Sequence, residues 1–246
     1  MKKASYTIHD YTFEGTNFQE LRNIVNEVFD QHIYYFETDT PNPRIIDIGA
    51  HVGIATHYFA RTHPTAQILA VEPHPVSYSL LQENCNWNRL TNVTTLQAAV
   101  VPNPSLSHEK PPSQTTLFTD ESGEWLSSTG IQNGGWNDGQ EGMTEITVPA
   151  ITLAKLIDDK PVQLLKMDIE GAEWEVLLKA GEELRYIERL ILEYHPQRDR
   201  QLDKLVAALQ QFQLRPFPPI PVSPKKRRQL QMLEFVNKKL AKKLQA

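Results

Sequence analysis

From Arg44 onward, apolar runs of strand length alternate with segments of helical periodicity, and this rhythm limits what the chain can fold into more than any single residue does. The runs at 44–48, 67–71, 93–98, 145–148, 163–167 and 189–193 read as strands. Helices are expected after Gly53 and over 75–87, 152–157, 172–180 and 198–212. Pro75 suits a first helical turn, where a missing N–H costs nothing. Strands that alternate with helices demand right-handed crossovers. The expected fold is therefore α/β, a mostly parallel sheet of at least five strands with helices on both faces. A chain of 246 residues can bury one such core, so a single domain with insertions is expected.

The rhythm fails in three places, which sets the expected organisation. Residues 1–43 read as an N-terminal cap: a strand at 6–13, a helix at 17–30 with Leu21, Ile24, Val25 and Val28 on one face, then the punctuation Pro41-Asn42-Pro43. The core spans 44–215, with an insertion at about 102–143 that is rich in Pro, Ser and Gly and holds one short strand near 115–119. Trp125 and Trp136 favour a lid or substrate wall there, a surface hairpin being the alternative. Residues 216–246 read as a Pro-rich connection and a basic helix at 229–245. Leu230, Leu233, Val236, Leu240 and Leu244 fall at helical spacing, so docking on the domain is expected, with an anionic membrane surface or a partner protein as the sharper alternative.

Charge narrows the partners. The net charge of −5 conceals a tail, residues 225–246, with eight Lys or Arg against one Glu, a local +7 that leaves the other 224 residues at −12. Such an acidic body offers no basic stripe for a nucleic-acid backbone, so no nucleic-acid partner is expected. No apolar run approaches the ~20 residues of a transmembrane helix. The start, MKKASYTIHDYTF, lacks the apolar centre of a signal peptide, so a cytoplasmic location is expected. The single Cys85 excludes an intramolecular disulfide framework, and no Cys/His cluster has zinc spacing.

The most informative local segment is IIDIGAHVG at 45–53. Asp47, Gly49, Ala50 and Gly53 occupy the turn from the first core strand into its helix, where small residues admit a ligand close to backbone amides and Asp47 can hold a cationic amino group. The GxGxxG order is broken by His51, and the Gly-Lys-Ser/Thr of a P-loop is missing. Glu72 ends the second core strand, where its two oxygens can accept both hydroxyls of a ribose. NAD would use the same geometry, and a carboxylate capping the helix of Pro75 is the bland explanation for Glu72 taken alone.

Taken together, IIDIGAHVG, VEPHP and LLKMDIEGAEWEVLLKAG resemble the FkbM family of class I, Rossmann-like methyltransferases, over about residues 44–195 apart from the insertion. The resemblance implies a seven-stranded sheet whose last strand is antiparallel, S-adenosyl-L-methionine as methyl donor, and an oxygen acceptor on a sugar or natural product. It assigns Asp47, Gly49, Ala50 and Gly53 to the methionine end of the cofactor and Glu72 to its ribose. Pro73 and His74 would border the adenosine, and Gln97 and Ala98 would lie near adenine. The acidic residue that many class I methyltransferases carry at the third strand end is missing here.

Asp168, Glu170, Glu193 and His195 follow the fourth and fifth core strands and are expected to face the methyl group from the acceptor side. A hydroxyl acceptor, on a small molecule or a peptide product, benefits from a base in hydrogen-bond reach. His195 or Asp168 is expected to serve, with Lys166, Glu170, Glu193 and Trp136 on the acceptor wall. Each has a bland alternative. Lys166 can pair with Asp168 or Glu170, Glu170 and Glu173 suit a helix start, and His195 precedes Pro196 at a helix entry. The same groups would suit a divalent metal, as in magnesium-dependent catechol methyltransferases, but spacing assigns no metal ligand. The competing readings are an NAD-dependent oxidoreductase and a non-catalytic module that retains the fold. Calorimetry separates them: S-adenosylhomocysteine should bind and NAD should not, and binding of NAD alone would overturn the choice.

Overall fold

The computed structural model describes residues 3–104, 110–120, 143–195, 202–210, 212–215 and 231–237. The chain starts with a hairpin, β1 (Ala4–Ile8) and β2 (Tyr11–Gly15), where the sequence pattern predicts one strand. A two-residue turn, with His9 at φ +51°, reverses the chain at a point that alternation alone does not mark. Helix α1 (Phe18–Val25) follows, capped by Asn17, whose side chain accepts from the N–H groups of Gln19 and Glu20. The predicted helix at 17–30 then widens into one π turn, Asn26–Asp30.

The core alternates as expected: β3 (Arg44–Ile48), α2 (Ile54–Thr62), β4 (Gln67–Val71), α3 (Pro75–Trp87) and β5 (Val93–Leu96). The strand expected over 93–98 is split. Beyond Gln97 and Ala98, β6 (Ala99–Val101) leaves the main sheet and joins β7 (Gln114–Asp120) and β8 (Met143–Thr152) in a three-stranded sheet. Then come α4 (Leu153–Ile157), β9 (Leu164–Met167), α5 (Glu173–Leu178), a 3-10 turn over Gly181–Tyr186, β10 (Arg189–Tyr194), α6 (Leu202–Ala208), β11 (Phe212–Arg215) and β12 (Gln231–Asn237). Helix α6 ends at Ala208 instead of the predicted 212, because Phe212 already belongs to a strand backbone paired with β12, and residues 198–201 lie outside the described residues. The Pro-rich connection, Trp125 and Trp136 lie outside the described residues.

The central sheet has seven strands in the order β11-β12-β10-β9-β3-β4-β5, with β12 antiparallel to both of its neighbours. The seven strands and antiparallel last strand implied by the resemblance are therefore present. Period-two alternation splits the core between two faces. Ile46, Ile48, Leu165, Met167, Leu190 and Leu192 pack with α4, α5 and α6, whereas Ile45, Leu164 and Ile191 pack with α2 and the N-terminal Phe13, Leu21, Val25 and Phe29. Helices cover both faces. The hairpin is tied down by two asparagines, one in α3 and one at its C-cap: Asn84 bonds the N–H and C=O of Glu14, and Asn88 those of Thr12. Among the described residues, no helix is long and apolar enough to cross a membrane.

The C-terminal basic helix expected over 229–245 is corrected over 231–237, which form a strand inside the sheet; residues 229–230 and 238–245 lie outside the described residues. Phe235 and Val236 are consecutive and both fully buried, which occurs where a strand is covered on both faces. That pattern mimics helical spacing in a sequence. Backbone pairing to β10 and β11, and an ion pair between Arg189 and Glu234, settle the strand conformation. Truncating Phe235 to Ala should therefore cost about 3–5 kcal/mol in chemical denaturation, as loss of a core aromatic does.

Candidate functional site

In an open parallel sheet, a cleft forms at the carboxyl ends of the strands where the strand order reverses. Here that point lies between β3 and β9. Parallel register makes Asp47 the partner of Lys166 and Ile48 the partner of Met167. Lys166 is buried, and its ammonium stands 3.3 Å from Asp47 Oδ1, 3.6 Å from Asp168 Oδ2 and 2.7 Å from the carbonyl of Gly49. Burial disfavours this charge, but Asp47, Asp168 and Glu193 outweigh it and raise the Lys166 pKa. Thr56 from α2 donates to the other oxygen of Asp47 at 2.7 Å.

The turn after β3 needs its glycines. Gly49 has φ +75° and packs so closely on the end of β9 that a Cβ would lie 1.7 Å from the carbonyl oxygen of Asp168. Gly53 has φ +92° and forms the N-cap of α2. Ala50 is buried, and the N–H groups of Gly49 and Ala50 both bond the carbonyl of Val71. His51, at φ +51°, donates its N–H to Glu72 Oε2 at 2.8 Å. Its ring lies 3.9 Å from Glu20 of α1 and is uncharged by preference, because burial lowers its pKa.

Glu72 follows β4 and is buried, with Oε1 accepting the N–H of His74 at 2.9 Å. Each oxygen therefore already holds one backbone donor and keeps further acceptor capacity. Burial lifts Glu72 to about 7 against the pull of those two N–H groups. His74, after Pro73, is the N-cap residue of α3, and burial lowers it to about 4. Gln97 is partly buried and Ala98 fully, at the break between β5 and β6.

A second group gathers at the ends of β9 and β10. His195 is buried between two carboxylates, with Nδ1 3.1 Å from Glu173 Oε1 and Nε2 3.4 Å from Glu170 Oε2. Glu173 Oε1 also accepts the N–H groups of Ile169 and Gly171, so it ties the turn to the imidazole. Glu170 itself has φ +53°, a left-handed conformation that costs energy in a non-glycine residue and clusters at working sites. Burial opposes a charged His195, but Glu170 and the hydrogen bond to Glu173 prevail and hold its pKa well above the usual imidazole range. Burial lifts Glu170 well above the carboxylate range, and burial together with Asp168 lifts Glu193 to about 8. These neighbours favour the charged ring, whereas a base role for His195 rests on the neutral one.

The structure brings Asp47, Lys166 and Asp168 together, and likewise Glu170, Glu173 and His195. The expected pairing of Lys166 with Asp168 is present, joined by the Asp47 contact that only the register reveals. Tyr34 was not legible in the sequence, because the HIYYFE run that carries it belongs to no motif. Its buried hydroxyl donates to Glu193 Oε2 at 3.2 Å, and the Lys166 ammonium sits 5.5 Å above its ring. Glu173 carried a signal, its place in KMDIEGAE, but a helix-start carboxylate explains the same letter.

The site residues from Asp47 to His195 lie within the part of the chain that known proteins share, whereas Glu20 and Tyr34 precede it. The family model described as the methyltransferase FkbM domain matches residues 47–216. A methyltransferase of Sordaria araneosa, sdnD, is 32% identical over 183 residues, covering 67% of this chain and 70% of its own. Methyltransferase 1 of Beauveria bassiana is 28% identical over 166 residues, covering 64% and 66%. In fold, the chain resembles the crystal structure of methyltransferase FkbM from Methylobacillus flagellatus KT, with a TM-score of 0.52 and 16% identity. That likeness covers 81% of this chain, which spans only 45% of the crystallised protein.

The Glu72 carboxyl generates a prediction. An ionised carboxylate accepts from hydroxyl groups more strongly than the neutral acid. Affinity for S-adenosylhomocysteine should rise about fivefold as pH increases through about 7. Glu72→Gln should bind weakly and lose that pH dependence in calorimetry.

Proposed function

Because the chain belongs to the FkbM methyltransferase family and takes S-adenosyl-L-methionine as methyl donor, we propose that it methylates an oxygen of a small-molecule, sugar or natural-product acceptor. One observation carries this reading. The glycine turn and Asp47 adjoin, through Lys166, the ionisable groups at the ends of β9 and β10. Donor-type and acceptor-type chemistry therefore share one strand-end cleft.

The residues fit the cofactor. Asp47 Oδ1 is buried beside the Lys166 ammonium at 3.3 Å and keeps acceptor capacity for a second cationic donor, such as the ammonium of the methionine moiety. Glu72 would take the ribose hydroxyls, Pro73 and His74 the adenosine edge, and Gln97 with Ala98 the adenine. When bound, the cofactor supplies an electrophilic methyl group on a sulfonium, and transfer is an in-line displacement in which alignment provides much of the rate.

On the acceptor side, Lys166, Glu170, Glu193 and the insertion's Trp136 would orient the substrate. A hydroxyl must lose its proton as the new bond to carbon forms. Asp168 Oδ1, buried and without a hydrogen-bond donor, is the open proton acceptor. His195, placed between Glu170 and Glu173, would stabilise negative charge beside it in its protonated form. His195 can itself serve as the base once it has passed its proton to one of those carboxylates.

The test is transfer of label from tritiated S-adenosylmethionine to a panel of hydroxylated and carboxylated natural products. Label on a base-stable ether supports the reading; label released by mild alkali marks an ester and points to a carboxylate acceptor, which needs no base. In the same assay, His195→Ala should lower turnover about 10²-fold or more while S-adenosylhomocysteine affinity stays nearly unchanged. Unchanged turnover would remove His195 from the catalytic groups.

A further inference from the structure

We propose that Asp168, Glu193 and His195 form a binding site for a hard divalent cation, Mg²⁺ or Mn²⁺, on the acceptor side of the donor turn. One ligand atom from each of the three lies within 4.8 Å of the others. All three sit on or directly after the adjacent parallel strands β9 and β10, so the scaffold that spaces them is rigid. Two carboxylates and one imidazole form an oxygen-rich set without thiolate, the chemistry of Mg²⁺ and Mn²⁺.

Two further features of the surroundings point to a ligand. Asp168 Oδ1 is shielded from solvent and accepts no hydrogen bond, a costly state for a carboxylate oxygen that a bound cation relieves. Around His195, Glu173 engages Nδ1, while Nε2 faces Glu170 Oε2 at 3.4 Å, so a cation bound at Nε2 would take the place of the proton between them. A carboxylate on the far nitrogen is the arrangement that orients metal-binding imidazoles. Tyr34 plays the same part for Glu193, since its hydroxyl engages Oε2. The local charge agrees: Asp168, Glu170, Glu173 and Glu193 crowd around Lys166 and His195, and Lys166 is shared with Asp47.

The site stands on this geometry, whereas its use in holding an acceptor oxygen rests on the methyl-transfer reading. Mn²⁺ alone is the probe, titrated into the full chain with and without S-adenosylhomocysteine and followed by electron paramagnetic resonance. One saturable site should appear, and electron spin echo modulation should show one imidazole nitrogen coupled to it. Asp168→Asn and Glu193→Gln should each weaken binding tenfold or more, Glu173→Gln about tenfold, and His195→Ala should erase the nitrogen signal. Lack of saturable Mn²⁺ binding in wild-type chain that binds S-adenosylhomocysteine would overturn the cation site and leave the methyltransferase reading intact. Bound Mn²⁺ without nitrogen coupling would overturn it as well.

Discussion

A buried lysine holds this site together. Lys166 has its charge under the sheet surface, where an unpaired ammonium would be expelled or neutralised, so its contacts to Asp47, Asp168 and the Gly49 carbonyl are obligatory. Those contacts join β3 to β9 where the strand order reverses. They also hold the carboxylates of Asp47 and Asp168 on one ammonium. Breaking such a buried pair on one side typically costs about 3–5 kcal/mol, because the remaining charge is stranded. The glycine turn after β3 and the carboxylate after β9 are therefore coupled through one cation.

Around that cation the protein places more carboxylate than it neutralises. Burial and mutual repulsion lift Glu72, Glu170 and Glu193, while His195 is driven toward its charged form. A cleft of this kind favours cationic occupants. The N-terminal segment is part of the same design. Its apolar residues complete the core on the face that carries Asp47 and Lys166, and Tyr34 and Glu20 then reach the polar groups above that core. The segment thereby reaches the residues that follow β3 and those at the end of β10.

Much of this was legible because short-range chemistry left few alternatives. A Gly at position 49 is demanded by its left-handed backbone and by the carbonyl of Asp168 pressed against it. Glu72 was legible as a strand-end carboxylate, although its two backbone donors were not. The tail was misread for a physical reason: consecutive burial of Phe235 and Val236 in a doubly covered strand has the look of a helical face. Tyr34 left no trace, since an aromatic run that packs and an aromatic run that also donates a hydrogen bond are spelled the same way.

The sequence by itself determined the alternation of strands and helices, the glycine turn after β3 and the family motif at 166–173, because each follows from local backbone preference or from residue identity. Tertiary structure decided what those residues are to one another. It made Asp47 rather than Asp168 alone the partner of Lys166, put His195 between Glu170 and Glu173, and turned residues 231–237 into the antiparallel strand. Strand register and burial are long-range properties: they depend on which segments pair across the sheet, and pKa values and ion pairs follow from that pairing.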